Sequence, residues 1–337
     1  MDQAKAGQIF STSEIFSLLA SELVEVEKEI GLESVASVEA VTTIAQYLQS
    51  SGGKRLRPSL LLLCARLFER PGGEHDQGAI RLAAVVEILH AATLVHDDVI
   101  DMAQTRRGRP SANVQWGNHT CVLAGDWLYM QAFQIALRER NFHILDLLIG
   151  LTQLMVEGEL IQLERIGKIE ITEADCMEIV DRKTAGLFSV CAKLGAVMGG
   201  ADSAVEERLG EYAWNLGMAF QLIDDLLDFT SREKTLGKPV GNDLREGKIT
   251  LPMVYALEQA NMEERRQIET ILREQNYDAV AFSQVRAMIG KYGAVERVQE
   301  RAQQFTDKAR QIIAEFPDSP YQNALASIAD LITARDH

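Results

Sequence analysis

Apolar side chains recur at three- and four-residue spacing through most of this chain, a period that predicts helices rather than strands. The first stretch, residues 11–31, opens on a capping-box pair, Ser11 and Glu14, and carries Ile15, Leu18, Leu19, Leu23 and Val26 on one face. A second helix is expected from about residue 37 to Gly52-Gly53. The turn Gly52-Gly53-Lys54-Arg55-Leu56-Arg57-Pro58 then feeds another, with Pro58 suited to its first turn. After Pro71-Gly72-Gly73 a long apolar helix runs over about 76–101. From Ser111 to Pro239 no proline interrupts the chain, and the helical period continues through 121–137, 144–163, 175–197 and 206–229. Further helices follow at 252–260, 263–274, 280–292 and 295–316, and a last amphipathic stretch lies beyond Pro317 and Pro320. There is no strand alternation and no hairpin signal, so the fold class is all-α, with long helices and short connections.

Composition bounds this picture without changing it. A chain of 337 residues, 47% hydrophobic and 25% charged, can bury a sizeable core as one large domain or two ordinary ones. A formal net charge of −15 argues against nucleic acid as a partner, because phosphate backbones are bound by a basic surface field. Against that background Lys54-Arg55-Leu56-Arg57 and Arg106-Arg107-Gly108-Arg109 are concentrated basic spots, which suit small anions. Cys64, Cys121, Cys176 and Cys191 form no C-x-x-C pair, and no signal peptide is evident, so reduced core cysteines in a cytoplasmic protein are expected. No uninterrupted apolar run reaches the length of a spanning helix, so no transmembrane segment is expected.

Candidate chemistry gathers where the apolar helix ends. Asp97 and Asp101 lie i,i+4 on one face with Asp98 about 100° round. Carboxylates at a helix C-terminus meet the negative end of the macrodipole and call for positive charge. Carboxylates without neutral ligands suit Mg²⁺, which completes its shell with water and substrate phosphate. Arg106, Arg107 and Arg109 are the natural partners of such phosphates, unless the stretch is simply an acidic helix end before a basic turn. The D-D-x-x-D pattern occurs again at Asp224, Asp225 and Asp228. One copy arises by chance in roughly one chain in fifteen of this length, two in about one in several hundred, so coincidence is the weaker reading. Taken singly, His90 reads as a core histidine, Lys183-Thr184 as part of a helix surface, and Lys238 and Lys248 as members of a solvated loop, although Gly-Lys pairs can also meet phosphate.

Taken jointly, GGKRLRP, LVHDDVIDMAQTRRG, the Lys-Thr pair, FQLIDDLLD and GKPVGNDLREGK resemble the trans-type polyprenyl (isoprenyl) diphosphate synthases over nearly the whole chain, most closely those of octaprenyl type. The resemblance implies a single synthase domain over 1–337, an isoprenoid-synthase helical bundle around a deep cavity. It implies that Asp97, Asp98, Asp101, Asp224, Asp225 and Asp228 hold Mg²⁺ ions, commonly three, that grip an allylic diphosphate from two facing helices. Arg106, Lys183, Lys238 and Lys248 would bind that diphosphate, and Lys54, Arg57, His90 and Arg107 the diphosphate of isopentenyl diphosphate. Thr184 and Gln221 would line the reacting carbons, while Asp243 falls in a matching loop with a less defined role.

In short-chain relatives a bulky aromatic before the first aspartate motif closes the pocket. Here Ala91, Ala92 and Thr93 stand there, which favours a medium or long product, with Phe133, near Met130, as a candidate floor. An octaprenyl product would serve a respiratory quinone side chain. The alternatives are a farnesyl or geranylgeranyl synthase, or a non-catalytic subunit of a heteromeric enzyme, which should show a broken motif. A terpene cyclase would not keep the second aspartate motif or the Lys54/Arg57 turn, and a squalene-synthase-like enzyme would carry a membrane tail. A homodimer is the expected assembly, and peripheral membrane contact during product release is compatible with it.

Overall fold

The computed structural model describes residues 10–50, 52, 55–68, 77–231 and 240–333. Lys54 and Lys238 lie outside them. The described chain is helical almost throughout. The elements are α1 (Thr12–Leu18), α2 (Ala20–Glu33), α3 (Glu39–Ser50), α4 (Leu56–Arg66), α5 (Gln77–Ile100), β1 (Thr105–Arg106), β2 (Arg109–Pro110), α6 (Ala112–Trp116), α7 (Asn118–Ala136), α8 (Phe142–Arg165), α9 (Glu173–Val180), α10 (Gly186–Met198), α11 (Ser203–Thr230), α12 (Asn242–Arg245), α13 (Leu251–Leu257), α14 (Met262–Glu274), α15 (Phe282–Lys291), α16 (Ala294–Ile313) and α17 (Pro320–Thr333). Three-residue and five-residue turns of 3₁₀ and π type occupy Leu137–Glu139 and Asp181–Ala185.

Three local details depart from the sequence reading. The stretch expected as one helix over 11–31 breaks at buried Leu19, whose φ of −114° and ψ of 13° end α1 after the Ser11/Glu14 capping box has opened it. The basic turn is a small hairpin, Thr105 opposite Pro110 and Arg106 opposite Arg109. Its central residues, Arg107 and Gly108, both have positive φ, 51° and 74°, the mirror-image turn whose twist suits an antiparallel pair. The helix read as continuous over 175–197 is interrupted by the π turn. Taken whole, α5 is by length and composition apolar enough to span a bilayer, although Arg81 and Glu87 interrupt its apolar run. Burial accounts for that, because 67% of its most apolar window is enclosed by protein.

The chain divides into two compact units, 1–150 with 188–211 and 313–327, and 151–187 with 212–312 and 328–337. In the first, α5 is the axis and packs on α7, α2 and α4. It is apolar nearly all round because it is covered nearly all round, from Gly78 to Leu89 and again at Ala92 and Val95. In the second, α13 is buried at every residue from Leu251 to Leu257 and packs on α9 and α15. Val180, Ala185 and Met218 form a further core cluster there with Met177, Trp214 and Phe305.

Two helices carry uncovered apolar residues at seven-residue spacing. On α7 and the turn after it these are Leu123, Met130 and Leu137, and on α8 they are Phe142, Ile149, Val156 and Leu163. Such a spacing is the seam of helix-on-helix packing.

Candidate active site

In the first unit, α5 delivers the first aspartate motif and the hairpin delivers the arginines. Asp97 and Asp101 are half-buried, whereas Asp98 is fully buried. Its Oδ1 accepts from Arg106 Nε and Nη2, both at 2.7 Å, and its Oδ2 is enclosed without a hydrogen-bond partner. Burial pushes the Asp98 carboxyl above the usual range, Arg106 opposes this, and Asp101 adds to it.

The three hairpin arginines therefore have different tasks. Arg106 faces inward onto Asp98. Arg109 is held to α3, where its guanidinium lies 4.1 Å from the Tyr47 ring and donates to Ser50 Oγ at 3.0 Å. Arg107, at the tip, is exposed beside half-buried His90. Burial first, then Arg57, Arg107, Arg106 and Arg55, push the His90 imidazole well below its ordinary value, so it is neutral near pH 7. A cavity in this unit is lined by Arg55, Glu87, His90, Ala91, Asp98 and Arg107, with Leu94 and Leu128 among its apolar walls. Ala91 thus lines open space, while Ala92, fully buried, does not. Thr93 Oγ1 donates to the carbonyl of His90 at 2.7 Å. Phe133 is half-buried, and Met130 is 63% exposed on the uncovered seam of α7.

In the second unit the π turn widens the helix just where Lys183 and Thr184 leave it. Asp181 receives the indole Nε1–H of Trp214 at 2.5 Å, which pins the start of the turn. Gly158 of α8 lets it approach closely: a Cβ there would lie 2.7 Å from Arg182 Cβ and 3.0 Å from Lys183 Cγ. Lys183 is paired with Glu159 and donates to Gln162, two α8 residues in VEGELIQL whose role the sequence did not disclose. Their signal was an acid and an amide three residues apart, on one helix face. Thr184 Oγ1 donates to Gln221 Oε1 at 2.9 Å, and Gln221 Nε2 donates to Asp225 Oδ1 at 2.8 Å. Cys176, whose thiol burial pushes up to about 12, with Asp225 adding to it, lies behind this chain of bonds as an inert packing residue.

Within the second motif Asp224 is half-buried, and Asp225 and Asp228 are buried. Asp228 accepts the backbone N–H of Asn242 at 3.2 Å and of Asp243 at 3.1 Å, and so fastens the loop that leads to Lys248. Lys248 Nζ donates to Glu246 at 2.8 Å, and its backbone N–H donates to the carbonyl of Asp243, also at 2.8 Å.

The donor set fits Mg²⁺. Among the described residues no three acidic, histidine or cysteine side chains close on one point. Carboxylate oxygens alone are the donors suited to an ion that takes one or two protein carboxylates and fills its shell with phosphate. The orphaned Oδ2 of Asp98 beside Asp101 marks the same need for positive charge.

The family model described as "Polyprenyl synthetase" matches residues 38–289. The chain is 35% identical to the octaprenyl diphosphate synthase of Escherichia coli (strain K12) over 96% of this chain and 98% of that one. It is equally 35% identical to the all-trans-nonaprenyl-diphosphate synthase (geranyl-diphosphate specific) of Rhodobacter capsulatus, over 96% and 97%. Among solved structures, the polyprenyl synthase of Caulobacter crescentus CB15, complexed with calcium and isoprenyl diphosphate, superposes with a TM-score of 0.91 at 35% identity, over 97% and 99% of the two chains. With acidic motifs, hairpin arginines and an all-helical fold in agreement with these matches, the chain belongs to the polyprenyl synthetase family and is a prenyltransferase.

Proposed function

We propose that this chain is a Mg²⁺-dependent trans-polyprenyl diphosphate synthase of medium or long product, acting in the cytoplasm as one synthase domain. It extends an allylic diphosphate by successive head-to-tail additions of isopentenyl diphosphate and stops at the octaprenyl stage. The observation that carries the length is the run Ala91, Ala92, Thr93, which puts small side chains on the turn of α5 before Asp97 and leaves Ala91 beside open space. Relatives at equal identity make octaprenyl and nonaprenyl products, which supports a long chain.

Asp97, Asp98 and Asp101 in the first unit, and Asp224 and Asp225 in the second, would hold Mg²⁺ ions, which would supply positive charge to the departing diphosphate. Asp98 also orients Arg106 through its Oδ1, and Asp228 fastens the loop before Lys248. Lys183 and Arg106, with Lys238 and Lys248, hold the allylic diphosphate. Arg57, neutral His90 and Arg107, with Lys54, hold isopentenyl diphosphate. When the allylic C–O bond breaks, Thr184 presents its lone pairs to the carbocation, because its proton is committed to Gln221. The isopentenyl double bond then forms the new C–C bond, and the proton lost from the adjacent carbon passes to the released diphosphate. Apolar walls keep water from the cation.

Purified protein with Mg²⁺, labelled isopentenyl diphosphate and farnesyl diphosphate should give, after dephosphorylation, a ladder ending at octaprenol and no product in EDTA. A ladder that stops at fifteen or twenty carbons would remove the long-chain assignment. The uncovered seams of α7 and α8 favour a homodimer, which sedimentation equilibrium tests, with Ile149→Glu expected to shift the protein to monomer.

A further inference from the structure

Arg55 stands in the basic turn among residues assigned to phosphate, yet its surroundings give it another task. Its Nε and Nη2 donate to the carboxylate of Glu27 on α2, the latter at 3.1 Å, and its Nη1 donates to Glu87 of α5 at 2.7 Å. Two carboxylates on one guanidinium leave it locally over-neutralised, with its side chain 17% exposed. Gln49 of α3 joins the cluster, its Nε2 donating to Glu27 Oε2 and to the Glu27 carbonyl, each at 3.1 Å. Arg55 is also the residue before α4, held at φ 45° and ψ 36°, a left-handed conformation that a residue with a Cβ adopts only against a steric penalty. Its carbonyl receives both the backbone N–H of Ser59, at 3.0 Å, and the Ser59 hydroxyl, at 2.8 Å. Two helices thus hold the side chain of a residue whose backbone sets the start of another, and α3 braces one of the two carboxylates.

What α4 carries in its first turn is Arg57. That guanidinium lies 5.6 Å from the Phe188 ring and close enough to His90 to disfavour the imidazolium. We propose that Arg55 is a positioning residue for isopentenyl diphosphate: clamped by Glu27 and Glu87, it fixes the first turn of α4 so that Arg57 is presented beside His90 and Arg107. This rests on the reading of Arg57, His90 and Arg107 as the isopentenyl diphosphate site. The clamp also separates the arginines by task, since Arg55 is spent on carboxylates while the cation two residues on is directed by it.

A direct phosphate contact by Arg55 makes the opposite prediction for Glu27. If the guanidinium binds diphosphate, Glu27→Gln removes a competitor and tightens binding; if it positions α4, the same change loosens the clamp and weakens binding. Isopentenyl diphosphate is titrated calorimetrically into wild type, Arg55→Gln and Glu27→Gln, and KM is measured for both substrates. Both variants should bind isopentenyl diphosphate about tenfold more weakly and raise its KM alike, with the allylic KM within about twofold of wild type. Tighter binding or no change in Glu27→Gln overturns the positioning role, as does an equal rise in both KM values. Should Arg55→Gln not fold, Glu27→Gln alone decides. A wild-type protein that binds no isopentenyl diphosphate overturns the site assignment and the inference together, whereas a wild type that binds, beside variants that bind equally well, overturns the inference alone.

Discussion

The hydroxyl of Thr184 donates to the amide oxygen of Gln221, and this single bond fixes the direction of polarity at the π turn. Because the other end of the Gln221 amide donates to Asp225, the glutamine cannot reverse without setting its N–H₂ against the threonine proton and its oxygen against a carboxylate. Thr184→Val keeps the shape and loses the lone pairs. It should lower kcat by about tenfold or more with KM for either diphosphate nearly unchanged. Steady-state kinetics with farnesyl diphosphate check this, and a change confined to KM would remove Thr184 from the reacting carbons.

Asp97 and Asp98 are neighbours with different expected effects on stability. Asp97→Ala should cut kcat by at least about a hundredfold and leave urea unfolding where it was, since the side chain is half-exposed and serves an ion. Asp98→Ala strips the counter-charge from Arg106, which is itself 30% exposed, and should cost about 2 kcal/mol of stability. Equal stability of the two variants would contradict the division of labour within the motif.

Ala92 is fully buried and Ala91 borders open space, so phenylalanine at the two positions should separate volume from stability. Ala91→Phe, beside the open space, should shorten the product and fold with little loss. Ala92→Phe should lower stability by about 1–3 kcal/mol through overpacking and shorten the product by displacing the wall it belongs to. Product sizing by mass and a denaturation curve test both, and octaprenol from Ala92→Phe would count against a tunnel beneath Asp97.

His90 is neutral in the folded state and free to protonate in the unfolded one, so the linkage sign is fixed. Its pKa is depressed on folding, and the stability this represents is complete above the unfolded value of about 6.5 and is lost as pH falls below it. Stability should therefore decline below about pH 6.5, and His90→Gln should flatten that part of the curve. Urea titrations between pH 5 and 8 would show it, and an unchanged slope in the variant would assign the decline to other groups.

The helical class was legible because the apolar period runs through almost every segment, and both aspartate motifs and most basic residues were legible because each is a local string. What escaped has a common cause: it depends on which way a side chain turns in three dimensions. Arg106, Arg107 and Arg109 are alike in sequence, but a two-residue ladder, too short to show alternation, turns them towards Asp98, the hairpin tip and Tyr47. The π turn inserts its distortion without a glycine or proline inside it, so Lys183 and Thr184 looked like ordinary helix surface. Glu159 and Gln162 are in sequence an acid and an amide on one helix face, and only the paired Lys183 reveals their work. Nor could spelling distinguish the half-buried from the enclosed aspartates, since Asp98 and Asp228 are held by partners that the following loops turn back onto them, Arg106 for the first and the backbone of Asn242 and Asp243 for the second.

Arg107 occupies a place where asparagine or glycine would be at ease, with a φ of 51° in a mirror-image turn. A thermostability engineer choosing substitutions by backbone compatibility alone would replace it first, and the hairpin would close more readily. With Arg107 holding isopentenyl diphosphate as proposed, the resulting enzyme would be sturdier and would capture its five-carbon donor less well. Durability and donor affinity therefore pull in opposite directions at one dihedral angle, and a chain selected for heat alone would drift towards losing this arginine.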